Sequence, residues 1–295
     1  MAVAGKGEQR ARRQAASVQI GCRRAWALCI ALPLAWPCAA QTARPAWAYP
    51  EAASAGVSAA EPTPPATAAA TAAAQEACTG CHGADGLGTW DSANLTGLSR
   101  SYLLRQLREM RSGVRQSALP QHPGLAQKAQ ALQLLSEAQL AAAAAYYVTL
   151  PARAAQKVVE SETVPHTALQ AGVRVAAPGD AQEPLGQRIV ELQDGQGQRL
   201  AYVPPGSVAR GRGLVFSGAE GRSARCEACH GVGLKGTAIA PVLAGRAPLY
   251  LVRQLFDLQS GSRHGSFANQ MEQPVQNLSV DDMLSLAAYA ASLTP

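Results

Sequence analysis

Cys226-Glu227-Ala228-Cys229-His230-Gly231 is the stretch from which the organisation of this 295-residue chain is read. Two cysteines two residues apart, with a histidine directly after the second, form the C-x-x-C-H pattern of covalent haem attachment. One short turn holds both sulfurs on the same side, where they add to the two vinyl groups of one porphyrin, and the histidine then lies beneath the iron as its proximal ligand. The same pattern stands at Cys78-Thr79-Gly80-Cys81-His82-Gly83. In a chain with seven Cys and five His, two chance occurrences are not credible. Spacing argues against zinc, because the two C-x-x-C pairs of a zinc ribbon stand about 15 to 20 residues apart. A redox dithiol would want a βαβ context, and the flanking sequence offers glycine loops and helical patterns instead. The expected cofactors are therefore two covalently attached haem c, bound through Cys78, Cys81, Cys226 and Cys229, with His82 and His230 on the irons.

Residues 1–48 read as a leader. Lys6, Arg10, Arg12, Arg13, Arg23, Arg24 and Arg44 stand against Glu8 alone, and an apolar run over residues 25–36 is interrupted by Pro33. That is a basic n-region and an h-region of signal-peptide length, too short to span a bilayer. Cleavage after Ala40 or Ala48 would leave the protein periplasmic; an uncleaved N-terminal membrane anchor is the alternative. The formal net charge of +6 belongs to this leader, since the remainder carries 19 basic and 19 acidic side chains. A nucleic-acid partner thereby loses its main argument. Cys22, Cys29 and Cys38 leave with the leader. The four remaining cysteines are all used by the two motifs, with none to spare for a disulfide or a cysteine ligand.

Residues 49–66 form an Ala/Pro-rich tether with almost no large apolar side chain to bury. An Ala-rich helix with Thr67 as its N-cap then delivers the chain to Cys78. Adding 148 carries Cys78 to Cys226, His82 to His230, Gly97 to Gly245, Tyr102 to Tyr250 and Gly113 to Gly261 without a gap. Residues 67–150 and 206–295 are thus two copies of one domain. Each predicts a Gly-rich loop after the motif and a helix of about three turns from Tyr102 or Tyr250 that stops at Ser-Gly. An irregular loop follows, then a last helix capped by Ser136 or Ser279. In the interdomain segment 151–205, Arg188 to Leu192 and Arg199 to Val203 read as a short β-hairpin about Asp194-Gly195. Residues 160–183 read as irregular surface chain, with His166 solvated. The expected fold class is all-α, with two tandem helical domains joined by a long insert.

These features resemble class I cytochromes c, in particular the dihaem cytochrome c4 type. The resemblance rests on the C-x-x-C-H-G motifs, Ala240-Pro-Val-Leu-Ala-Gly-Arg246, Tyr250-Leu-Val-Arg-Gln-Leu255, Gly261-Ser-Arg263, Met271, and Leu278-Ser-Val-Asp-Asp through Ala287-Ala-Tyr289. It covers about residues 75–150 and 206–295, and the second copy matches better. It implies that the first and last helices of each domain cross at a small residue, Gly211 or Gly213 meeting Tyr289. It implies that Pro241 offers its carbonyl to His230, a contact that fixes the ring's orientation and basicity; the first copy has Ala93 there. The long central insert departs from the family's short linker.

The resemblance also implies a sixth iron ligand. Met110 and Met283 fall at apolar helical positions and read as core. Met271 lies in the loop before the last helix, where the family carries its axial methionine. The first copy has no methionine in that loop, but His122 stands there, opposite Gln270 in the ungapped register. His122 is the candidate for the first haem; Met110, or an open or water-bound iron, are its rivals. Met/His ligation raises the potential, so electrons would rest on the C-terminal haem. Arg115 and Arg263 would face haem propionates, His264 the solvent. Arg100, Arg105, Arg108, Arg111 and Arg115 make a basic helix face that is either solvated or a dock for an acidic redox partner.

The implied function is electron transport rather than enzymatic turnover: an exported dihaem cytochrome passing single electrons between periplasmic or membrane-bound redox partners. The alternative is the cytochrome subunit of a larger dehydrogenase or oxidase, with the insert and tether as docking features. A dihaem peroxidase would need an open iron. A thiosulfate-oxidising enzyme of the known kind would need a cysteine ligand.

Overall fold

An alanine-rich run sets the first element. The computed structural model describes residues 67–89, 92–119, 123–171 and 173–295. All of them lie in the second of two units into which the chain divides, 60–295. The leader, the tether and His122 lie outside the described residues. Helix α1, Ala68–His82, starts directly after Thr67, whose carbonyl accepts from Thr71 N at 3.0 Å. It passes straight through the first C-x-x-C-H motif and stops where Gly83 adopts φ +71°. Helix α2, Arg100–Arg111, is capped by the Ser99 hydroxyl and ends at Ser112-Gly113. Helix α3, Pro123–Gln133, occupies much of the loop expected to be irregular. Proline suits a first helical position, and the Ala, Gln, Lys and Leu residues after it are strong helix formers. Helix α4, Glu137–Val148, opens on a Ser136/Gln139 capping box. It packs on α1 through Ala74, Ala142 and Ala143.

The two helical domains and the linking insert with its hairpin are as expected, but residues 160–183 of the insert are not irregular. Among its described residues the insert holds seven strands: β1 Lys157–Glu160, β2 Thr163–Pro165, β3 Thr167–Gln170, β4 Val173–Ala176, β5 Gln182–Pro184, β6 Val190–Gln193 and β7 Arg199–Val203. Five form a sheet in the order β1-β7-β6-β4-β3, and β2 pairs with β5. The expected hairpin is β6 with β7, in register Val190 to Tyr202. The remaining strands have only three or four residues each; Val164 of β2 and Leu185, just after β5, share a small core with Leu192 of β6 and Leu200 of β7. Segments that short show no readable alternation, and β1 finds its partner β7 some 40 residues along the chain. The chain is nevertheless predominantly helical, with two helix-rich domains on either side of this segment.

The second domain contains α5 Ser207–Ser217, α6 Glu227–His230, α7 Pro248–Gln259, α8 Glu272–Val275 and α9 Val280–Ser292, with short 3-10 turns at Ala219–Gly221 and Ala268–Met271. Helix α5 starts at Ser207 after Gly206, which has no side chain to cap it. The Glu160 carboxylate of β1 accepts from Val208 N at 2.9 Å and serves the exposed donors there. Helices α5 and α9 cross at Gly211, where an added Cβ would stand 2.0 Å from the Ser285 carbonyl oxygen and 2.8 Å from Tyr289 Cβ. Gly213 has nothing within 4 Å, so Gly211 is the crossing residue. Helix α9 opens on a Ser279/Asp282 capping box whose carboxylate is fully buried. It accepts from Arg222 at 2.6 Å and Arg210 at 2.7 Å.

Candidate functional site

Each C-x-x-C-H motif opens onto a cavity. In the second domain, backbone bonds wrap the motif into one turn, His230 N donating to Cys226 O at 2.9 Å. Gly231 then takes φ +77°, and any Cβ there would meet the Gly236 carbonyl at 2.7 Å. This turn puts half-buried Cys226 and exposed Cys229 at the cavity mouth and buries His230 at 6% exposure. His230 Nδ1 donates to the Pro241 carbonyl at 2.8 Å, so Nε2 is left with the lone pair. That Nε2 is buried with no hydrogen-bond partner, a costly state unless something else takes its lone pair. Burial also holds the ring's pKa below its usual value, keeping it neutral. Met271, in the 3-10 turn before α8, lines the same cavity. An unpaired imidazole nitrogen, a thioether and two free thiols are the donor set that covalent haem requires.

The first cavity repeats the plan with other residues. His82 is 7% exposed, and its Nδ1 lies 2.9 Å from the Ala93 carbonyl, so alanine supplies what proline supplies in the second copy. Burial, then the nearby Lys128, lower its pKa to about 4. Cys78 and Cys81 are free thiols, and burial pushes Cys78 above the usual thiol value. Met110 is buried in the domain core and borders the cavity from the last turn of α2, as its repeat partner Leu258 does in the second cavity. Lys128 of α3 also lines the first cavity. Burial, and next the Arg115 guanidinium, lower its ammonium below the usual value. The reading of the sequence passed over this residue. Counting back from the capping serines Ser136 and Ser279 would have found it, because that offset is 143 and pairs Lys128 with Met271.

The two cavities share one wall, made by Leu98, Tyr102, Gln106, Tyr250 and Gln254. Across it the repeat builds a pseudo-symmetric network. Arg115 donates to Gln106 at 2.7 Å and to Gln254 at 2.8 Å, while its counterpart Arg263 donates to Gln254 at 2.9 Å and Gln106 at 3.0 Å. Arg263 also donates to the Tyr102 hydroxyl at 3.1 Å. Burial would raise the Tyr250 hydroxyl, but Arg115 and Arg263 bring it down to about 8. Buried Arg246 adds donations to the carbonyls of Asn94 and Thr96 in the first domain. Four of the five arginines expected to make a basic face are thus engaged within the fold. Arg105 stacks 4.3 Å from the Phe267 ring centroid, Arg108 and Arg111 pair with Glu137, and Arg115 lies in the shared wall. His264 is exposed, as expected. His166 is exposed as well, between β2 and β3, its backbone N–H donating to Ala181 O at 2.9 Å. Among the described residues no helix is long and apolar enough to cross a membrane.

The model of the family described as cytochrome c matches residues 66–151. Cytochrome c-554(548) of Halomonas halodenitrificans is 36% identical over 74 residues, 25% of this chain and 89% of that protein. A protein of Stutzerimonas stutzeri described as a thiosulfate dehydrogenase electron acceptor is 27% identical over 220 residues, 74% of this chain and 79% of the other. The solved structure of the Acidithiobacillus ferrooxidans cytochrome c4 is similar in fold, with a TM-score of 0.51 at 21% identity over 74% of this chain and 99% of that one. One single-domain relative is matched along nearly all of its length, and the motif, the cavity and the surrounding helices occur twice. Cytochrome c4 of Azotobacter vinelandii is also 34% identical over 83 residues, 26% of this chain and 40% of that protein. The chain therefore belongs to the cytochrome c family, as a dihaem class I member of the cytochrome c4-like kind that transfers electrons to redox partners.

Proposed function

We propose that this cytochrome works as the electron-accepting partner of a periplasmic dehydrogenase of the thiosulfate-oxidising class, rather than as a free carrier between unrelated proteins. The observation that carries this reading is the length of the match to the Stutzerimonas electron acceptor, 220 residues against the 74 of the single-domain relative. The chain reaches the periplasm through the leader of residues 1–48.

Cys78 with Cys81, and Cys226 with Cys229, would hold the two haems by thioether links, with His82 and His230 as the histidines that would bind their irons. Met271 would supply a further ligand in the second domain. Bound haem c supplies a reversible one-electron couple. The chain's own residues do the rest. The carbonyls of Ala93 and Pro241 orient the two imidazoles and keep their outer nitrogens protonated. The buried helix crossings exclude water, and the thin wall of Tyr102, Gln106, Tyr250 and Gln254 keeps the cavities adjacent. Each domain offers one exposed motif cysteine, Cys81 or Cys229, at its cavity mouth, where a partner can approach.

The test mixes the oxidised holoprotein with a purified thiosulfate dehydrogenase from the same source and follows haem absorption after thiosulfate is added. The reading expects reduction of both haems, at least tenfold faster than that of an unrelated class I cytochrome. Equal or slower reduction would return the chain to the role of general carrier.

A further inference from the structure

The two copies differ in length by five residues between the end of the second helix and the last cap: 23 positions separate Gly113 from Ser136, and 18 separate Gly261 from Ser279. The cavity walls show where the extra residues fall. Lys128, Leu132 and Leu135 line the first cavity, and Met271, Val275 and Leu278 line the second, each pair related by 143. The later register therefore holds from α3 onward, and the additional residues lie between 116 and 123, the segment that contains His122. Lys128, not His122, stands where the second copy has its methionine.

We propose that Nζ of Lys128 is the second protein ligand of the iron held at Cys78, Cys81 and His82, so that the two haems of one chain carry His/Lys and His/Met sets. The proposal rests on the reading that both motifs bind haem. Its geometry is that of the second domain: a histidine with its Nδ1 side tied to a loop carbonyl, and a donor side chain on the segment before the last helix, bordering one cavity. Met110 does not serve, because its repeat partner Leu258 occupies the same wall position beside a separate ligand. An amine ligates through its neutral lone pair, and Lys128 borders the same cavity as His82. Among the described residues no carboxylate pairs with it. The consequence is a built-in difference between two domains of common plan. A nitrogen donor replaces a thioether on the first iron and lowers its potential relative to the second.

Low-temperature EPR and the visible Met-to-ferric-iron band of the oxidised holoprotein decide it, using the parent, Lys128→Met, Lys128→Ala and His122→Ala proteins. Haem content per chain, measured on each sample, shows separately whether both motifs are loaded; a single haem would sink the dihaem reading and not this assignment. With two haems present, the parent shows the Met band of one haem only. Lys128→Met doubles it, Lys128→Ala converts one haem to a different spin or ligand signature, and His122→Ala leaves the spectrum unchanged. A parent spectrum with two Met-ligated haems, a bis-imidazole signal lost in His122→Ala, or a Lys128→Met spectrum identical to that of the parent would each overturn the proposal. The methionine variant keeps a ligand in place, so failure of Lys128→Ala to fold does not remove the test.

Discussion

The two haem domains share a plan and differ in how tightly each contact is specified. In the second, α5 and α9 meet at a glycine, the histidine's carbonyl partner is a proline, and the last helix is capped by a buried aspartate with two arginines. In the first, the corresponding contacts use Ala74 on α1, the carbonyl of Ala93 and the neutral amide of Gln139. The first domain also runs its opening helix directly into the haem motif, whereas the second interposes a 3-10 turn and a loop between α5 and α6. What the helical frame requires, then, is a close helix crossing, a carbonyl for Nδ1 and a capped last helix. The residue types that provide them differ between the two copies, each suited to its own packing.

The largest effect expected from breaking this comparison is loss of a cofactor. Replacing Cys226 and Cys229 together by Ala halves the covalent haem per chain, read by mass, and leaves the Cys78/Cys81 haem spectrum in place. Next comes the helix crossing. Gly211→Ala forces a methyl group into the Ser285 carbonyl and destabilises the second domain by about 3 kcal/mol in denaturant melts. Ala74→Gly in the first domain removes only a buried methyl and some helix propensity, about 1–2 kcal/mol.

The caps differ in their response to acid. Burial alone would raise the Asp282 carboxyl, but Arg222, Ser279 and Arg210 outweigh it and hold it well below the usual carboxylate range. A carboxyl depressed in the folded state adds stability above its unfolded value of 3.8 and loses it as the pH falls further. Asp282→Asn therefore costs about 2 kcal/mol at neutral pH, a gap that narrows steadily below pH ~4. Gln139→Ala in the first domain costs ~1 kcal/mol at every pH. The smallest effect is that of Pro241→Ala. Ala93 already makes the same contact at nearly the same distance, so the change stays within ~0.5 kcal/mol and the haem spectrum barely moves.

Local chemistry was legible in the sequence and long-range pairing was not. The haem motifs, the serine caps at Ser136 and Ser279 and the Ser-Gly helix stops are each decided within four residues, and the fold contains them all. Gly211 and Gly213 lie two apart on one helix, and only the packing of α9 distinguishes them. The sheet of the insert stayed hidden because its strands are three to five residues long and its outer pair, β1 with β7, is remote in sequence. Arg105, Arg108, Arg111 and Arg115 looked like a surface because their partners, Phe267, Glu137 and Gln254, are remote in sequence, two of them in the other domain. Lys128 was missed for a register reason: the offset of 148 fixed by the haem motifs was carried past the point where it becomes 143.

The central claim is that one chain holds two haems of unequal character on a repeated frame, the second of them ligated by Met271. A spectroelectrochemical titration of the holoprotein tests it most directly. The account predicts two separate one-electron waves, with the Met-to-iron band bleaching together with the higher one. A single wave in which both haems reduce together would contradict it.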